Sequence, residues 1–270
     1  MRNADYSSGM KNEHKVFFVI PAYNEADNLD FLITNIDKFM HFFRYDFLIL
    51  LVNDGSSDNT ESVAKSYAKE VPIIVLNHET NLGPGKAFQT GFGEALTMAK
   101  DNDIVVTVEA DNTSDLCVLN RMFEMYRRGN DLVLASVYGE GRIIGAPLHR
   151  RVLSWCANTL MKVLLRVSGV NTFTSFFRVH RVSMLRHATA LYGDSLIEEE
   201  GFLCMLELLI KLQRLGYRIT QVPMLLDSKV RIGDSKMKVV KNTKDAFRLI
   251  YKYCFREETM LINSRHGNST

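Results

Sequence analysis

The chain has 270 residues, 46% of them hydrophobic and 24% charged, with a formal net charge of +2. That length can bury a substantial core, and the near-neutral balance argues against a general nucleic-acid binder. Cys117, Cys156, Cys204 and Cys254 are too scattered for a disulfide framework or a zinc site, Met1 to Lys15 lacks the apolar core of a signal peptide, and no run of about 18 apolar residues predicts a membrane span, so a cytoplasmic protein is expected.

Val16 to Ile20 reads as a short buried strand broken by Pro21-Ala22-Tyr23-Asn24-Glu25, after which Asp27 or Asn28 is placed to cap an amphipathic helix through about His41. Phe47 to Val52 is the next strand, ending at Asn53-Asp54-Gly55-Ser56-Ser57-Asp58-Asn59-Thr60, where small polar residues favour a turn and a helix start. A helix from about Thr60 to Lys69 leads to a strand at Ile73 to Leu76. Asn81-Leu82-Gly83-Pro84-Gly85-Lys86-Ala87 then opens a helix through about Lys100. It lacks the spacing of a phosphate-binding P-loop and the Ser or Thr that would follow Lys86, so a helix-opening turn explains it better. Val105 to Val108 is the next strand, and this alternation predicts an α/β fold with helices on both faces of a sheet.

Such sheets bind ligands at the carboxyl ends of their strands, which gathers Tyr23 to Glu25, Asn53 to Ser57 and Glu109 to Asp111 along one edge. If the chain stays extended there, Glu109 and Asp111 share a face. Two carboxylates suit a hard Mg²⁺ or Mn²⁺ ion carrying a diphosphate. Asp54 is placed to accept hydrogen bonds from a ribose or base edge, and Tyr23 to pack on a base. Singly, each has an ordinary explanation, since Asp54-Gly55 is turn chemistry and Pro21 a strand terminator. Their order and spacing are less ordinary.

Taken with Asn81-Leu82-Gly83 and Gly91-Phe92, these segments resemble the ordered signatures of the GT-A glycosyltransferases of family two, and within it the dolichyl- or polyprenyl-phosphate hexosyltransferase branch. Later segments add to the resemblance: Thr174-Ser175-Phe176-Phe177-Arg178, Gly201-Phe202 with Glu207, Leu215-Gly216-Tyr217-Arg218-Ile219 with Val222-Pro223, and Arg231-Ile232-Gly233-Asp234-Ser235-Lys236, which looks like the family's R-x-G-x-S-K loop. The resemblance covers about residues 15 to 240. It implies a mixed, mostly parallel GT-A sheet and the following organisation: a disordered tail over 1–14, a catalytic domain over 15–235, and a basic amphipathic helix and tail over 236–270.

Carried over residue by residue, the resemblance implies that Pro21, Tyr23, Asn24, Glu25, Asp54, Glu109, Ala110 and Asp111 line the nucleotide pocket. Glu109 and Asp111 become the metal ligands, Asp111 the more secure of the two, with Mg²⁺ or Mn²⁺ as cofactor. Arg150 and Ser154 match positions near a phosphate acceptor, while Arg231 and Lys236 would neutralise the leaving diphosphate. Asp111, Arg150, Arg231 and Lys236 are thus the catalytic candidates. The implied partners are a GDP- or UDP-hexose donor and a lipid-phosphate or saccharide acceptor. Several positions depart from the family pattern: Glu109 is one methylene longer than Asp, Thr113 replaces a glutamine, Thr172 an acidic residue and Phe176 a glycine. Val137 also stands where an arginine is frequent. An altered acceptor or impaired turnover is the expectation from these departures.

A phosphate acceptor is already ionised at neutral pH and needs no general base, whereas a sugar hydroxyl does. Glu198 or Glu199 is the candidate base for the hydroxyl case, and a solvated acidic helix start explains the same Glu198-Glu199-Glu200 run. Two segments, Arg150 to Val167 and Lys236 to Arg256, interleave basic and apolar residues as helices on an anionic membrane surface do. A helix packed on its own domain shows the same pattern.

Overall fold

The computed structural model describes residues 14–145 and 170–227, together with Thr159, Lys162, Lys229, Val230, Ile232, Arg248, Leu249, Lys252 and Tyr253. Its centre is a seven-stranded sheet in the order β3-β2-β1-β4-β7-β5-β8. The strands are β1 (Val16–Ala22), β2 (Phe47–Asp54), β3 (Ile73–His78), β4 (Ile104–Thr107), β5 (Leu132–Ser136), β7 (Arg178–Arg181) and β8 (Ile219–Pro223). β1 pairs in parallel with β2 and β4, and β2 with β3, so the carboxyl ends of these four strands share one edge. β7 enters antiparallel between β4 and β5, making the sheet mixed but mostly parallel. A second, two-stranded sheet joins β6 (Arg142–Ile144) to β9 (Leu225–Asp227).

The inner strands are apolar almost throughout because both faces are covered, as parallel sheets require. Phe17 and Val19 of β1 enter a core shared with α3 (Pro84–Met98), α5 (Val182–Tyr192) and α6 (Cys204–Arg214). Val16, Phe18 and Ile20 enter the opposite core, with α1 (Ala26–Phe42), α2 (Thr60–Ser66) and α4 (Leu119–Arg127). Each fully buried side chain of this kind contributes roughly 1.5–3 kcal/mol, and together these residues hold the edge strand ends in register.

The structure corrects three local expectations. β1 runs through Pro21, which pairs in register with Val52. Val108 N–H bonds the carbonyl of Val19, so the polar groups of Val19, and of Pro21 two residues on, face β4. The β1–β4 register ends at Val19 opposite Thr107, so proline's missing N–H costs no ladder bond. Neither Asp27 nor Asn28 caps α1. The helix begins at Ala26, with the Glu25 N–H bonded to Thr60 Oγ1 at 2.9 Å and the Ala26 N–H to Asp58 Oδ2 at 3.2 Å. Asn28 lies inside the helix, 2% exposed. β4 stops at Thr107, so Glu109 stands in an irregular stretch and Asp111 in the turn that follows, and the two-residue periodicity of a strand does not align them.

Candidate functional site

The loops after β1 and β2 are laced together by side chains. Asn24, in the left-handed region at φ +52°, accepts the Ser57 N–H on Oδ1 at 2.8 Å, and its own N–H donates to Ser56 Oγ at 2.9 Å. Pro21, Tyr23, Asn24 and Glu25 are each partly buried along this edge. Asn24 is therefore a tie between the loops after β1 and β2.

Asp54 is 3% exposed and turned into the protein. Its Oδ1 lies 2.7 Å from His78 Nδ1 and accepts the Leu82 N–H at 2.9 Å, and its Oδ2 accepts the Gly83 N–H at 2.9 Å. The carboxylate thus shapes the turn that opens α3. That turn also explains its glycines. Gly83 sits at φ +88°, and a Cβ on Gly85 would lie 1.9 Å from the Glu199 carbonyl oxygen. Close backbone approach, together with the Gly85 N–H bond to Glu200 O at 2.9 Å, needs these residues, and no phosphate loop is involved.

The acidic turn is tightly built. Asp111 is 5% exposed and its Oδ1 accepts both the Thr113 N–H at 3.1 Å and the Thr113 hydroxyl at 2.8 Å. Asn112 takes the left-handed conformation, φ +60°, and its Nδ2 donates to Asn28 O at 2.8 Å. Ala110 is buried and Glu109 half-buried. The Asp227 N–H bonds Thr113 O at 3.1 Å, and Ser114 bridges to Leu226, which draws β9 alongside the turn. Among the described residues no three His, Cys, Asp or Glu side chains cluster to enclose a metal. A divalent ion at Asp111 would take part of its shell from water and a diphosphate, the usual habit of Mg²⁺. Arg150, Ser154, Arg231 and Lys236 lie outside the described residues. Ile232, next to Arg231, is described and is held by Asn28.

The Glu198-Glu199-Glu200 run lines a cleft with Leu82, Lys86 and Gln89, but the carboxylates of Glu198 and Glu199 are committed elsewhere. Glu198 meets Lys252 Nζ at 2.6 Å, and that hydrogen bond, with Lys211 nearby, holds its carboxyl below the usual range. Glu199 takes two bonds from Arg248 Nη2, at 3.0 and 3.1 Å. Both base candidates are thus charge-paired, and for Glu198 that pairing disfavours taking up a proton. Beneath them Glu207, fully buried, accepts the Glu198 and Glu199 N–H groups on Oε2 at 2.7 and 2.8 Å. Its Oε1 meets Lys211 Nζ at 2.8 Å and the Tyr253 hydroxyl at 2.7 Å. Leu249 and Tyr253 are buried in the core, so the described part of the Lys236 to Arg256 segment packs on its own domain, as the non-membrane reading of that pattern requires.

Two of the departures are absorbed structurally. Phe176 is 4% exposed, with its ring 5.1 Å from Phe88 and 5.8 Å from Phe202 by centroids, and fills core volume. Thr172 Oγ1 pairs with Ser136 Oγ at 2.8 Å and accepts the Val137 N–H at 3.2 Å, so a neutral pair occupies the place of a carboxylate. Sequence reasoning missed the supporting residues His78, Thr113, Lys211 and Asn28 as builders of the site. A Glu207–Lys211 pair four apart inside an otherwise apolar helix was the one available signal.

Residues 17–187 match the sequence profile of Glycosyl transferase family 2. The undecaprenyl-phosphate mannosyltransferase of Micrococcus luteus is 30% identical over 226 residues, which cover 83% of this chain and 87% of that protein. The polyprenol monophosphomannose synthase of Mycolicibacterium smegmatis is 28% identical over 226 residues, covering 83% and 81%. Among solved structures, glucosyl-3-phosphoglycerate synthase from Mycobacterium tuberculosis, in complex with Mn²⁺, UDP-glucose and phosphoglyceric acid, superposes with a TM-score of 0.64 at 19% identity, over 90% of this chain and 81% of that one. At that identity the likeness establishes the GT-A fold. The chain belongs to glycosyl transferase family 2 and is a glycosyltransferase.

Proposed function

From this family membership we propose that the protein transfers a hexose from a nucleoside-diphosphate sugar to a polyprenyl phosphate, using Mg²⁺ or Mn²⁺. The observation that carries the proposal is the buried, Thr113-oriented carboxylate of Asp111, set in the turn just past β4 on the edge where β1, β2 and β3 also end. Asp111 and Glu109 offer only hard oxygen donors, which fits these two ions. When bound, the ion supplies positive charge against the diphosphate that leaves the anomeric carbon.

The chain's own residues account for the remaining steps. The loops tied by Asn24 form the nucleotide wall, and Asp54 fixes the turn beside it. Arg231 and Lys236 are the proposed charge-neutralising partners of the leaving group, and Arg150 and Ser154 the proposed holders of the acceptor phosphate. The ion pairs of Glu198 and Glu199 favour this acceptor over a saccharide hydroxyl, because a phosphate oxygen attacks without a general base and a hydroxyl does not. The names of the two relatives make mannose the first sugar to test and a polyprenyl phosphate the first acceptor. The Arg150 to Val167 segment is the proposed contact with an anionic membrane surface, where such an acceptor resides. No described helix is long and apolar enough to cross a membrane. Titration calorimetry with UDP and GDP, with and without Mn²⁺, tests the donor site. The reading requires metal-dependent binding of one nucleotide, and binding of neither in any metal overturns it.

A further inference from the structure

Asn28 joins three parts of the site at once. Its Oδ1 accepts the Ile232 N–H at 3.2 Å while its Nδ2 donates to the Ile232 carbonyl at 3.1 Å, so one carboxamide holds both backbone groups of one residue 204 positions away. The same Nδ2 donates to Glu25 Oε2 at 2.7 Å, reaching the loop after β1. The Asn28 carbonyl accepts Asn112 Nδ2 at 2.8 Å, reaching the residue that follows Asp111. At 2% exposure these bonds are shielded from competing water. The segment leading to Ile232 is pinned at its other end, where the Asp227 N–H bonds Thr113 O at 3.1 Å.

We propose that Asn28 is a positioning residue that sets the backbone at Ile232, between Arg231 and Gly233, in register with the acidic turn at Asp111. A carboxamide suits this task because it is donor and acceptor in one plane, matching a peptide's own pair of groups. Neither Asp nor Ala can reproduce both bonds. This inference rests on the reading above, in which Arg231 and Lys236 act on the diphosphate. Its signature is therefore a selective loss of interaction with the β-phosphate.

The test compares wild-type protein with Asn28→Ala and with the equal-sized Asn28→Asp, which serves if the alanine variant does not fold, as judged by thermal unfolding. Affinities for the nucleoside diphosphate and the matching monophosphate are measured in Mn²⁺, and trypsin cleavage after Lys229 and Arg231 is followed without nucleotide. Loss of one or two buried hydrogen bonds predicts that the diphosphate-over-monophosphate preference falls about tenfold, with monophosphate affinity held within about twofold. Cleavage after Arg231 becomes faster. Equal weakening of both nucleotides, or unchanged preference and cleavage, overturns the role of Asn28. Wild-type protein that binds neither nucleotide overturns the donor-site reading itself, and in that case unchanged cleavage overturns the Asn28 contact separately.

Discussion

Thr113 donates two hydrogen bonds to a single oxygen of Asp111, one from its backbone at 3.1 Å and one from its hydroxyl at 2.8 Å. Both residues are buried, so the carboxylate has one orientation, and that orientation is set by a residue at which the chain departs from the family pattern.

Partners that orient a ligating carboxylate typically govern metal affinity by about 10–100-fold. Thr113→Val keeps the shape and removes the hydroxyl, and Mn²⁺-dependent nucleotide binding is expected to weaken by about tenfold. Asp111→Asn is expected to lower transfer on the order of a hundredfold or more, because the charge facing the ion is gone. Calorimetry and initial rates read the two effects.

Phe176→Gly restores the residue usual at this position and removes a ring packed between Phe88 and Phe202. Truncating a buried Phe costs roughly 3–5 kcal/mol through lost burial and the cavity left behind. Denaturant unfolding is expected to show that loss, and acceptor choice is expected to stay as it is, since the ring is in the core.

Glu207→Leu takes from Lys211, 3% exposed, its nearer and buried carboxylate, leaving it Glu198 at 3.5 Å and the Ser195 carbonyl, and frees the Glu198–Glu199 backbone. Breaking one side of such a pair costs roughly 3–5 kcal/mol. Replacing Glu207 and Lys211 together by Leu and Met is expected to cost less than the single change, which a double-mutant cycle measures.

His180 is fully buried beside the equally buried Arg178. Burial first, and the Arg178 charge second, hold its ring well below the ordinary value, while burial also lowers Arg178 to about 9. Above about pH 6.5 the ring is neutral in folded and unfolded chains alike. Below it the unfolded chain takes up a proton that the folded chain refuses, so stability falls as pH drops. The slope from this residue approaches about 1.4 kcal/mol per pH unit. Unfolding titrations between about pH 7.5 and 5.5 are expected to show it in wild-type protein, and a shallower slope in His180→Asn.

The first four strands were legible because each is a continuous apolar run bounded by polar turns, and parallel strands covered on both faces demand that composition. β7 was not, since Arg178-Val179-His180-Arg181 places a cation and a histidine inside the core, where no hydrophobic pattern marks them. The carboxylate pair was found by residue type but misplaced by period, because β4 ends at Thr107 and a turn follows. Asn28 looked like a helix cap from its position after a loop. Its partner is Ile232, 204 residues on, and local sequence carries no trace of that contact.

Transfer to a lipid phosphate is expected to depend on the acidic turn. Incubation of the protein with a labelled nucleoside-diphosphate mannose, a polyprenyl phosphate in detergent and Mn²⁺, followed by organic extraction, measures it directly. Labelled lipid and an equal amount of released nucleoside diphosphate are expected, both abolished by a metal chelator and by Asp111→Asn. Label that reaches a saccharide hydroxyl but not the lipid, or lipid labelling undiminished by chelation or by Asp111→Asn, contradicts that expectation.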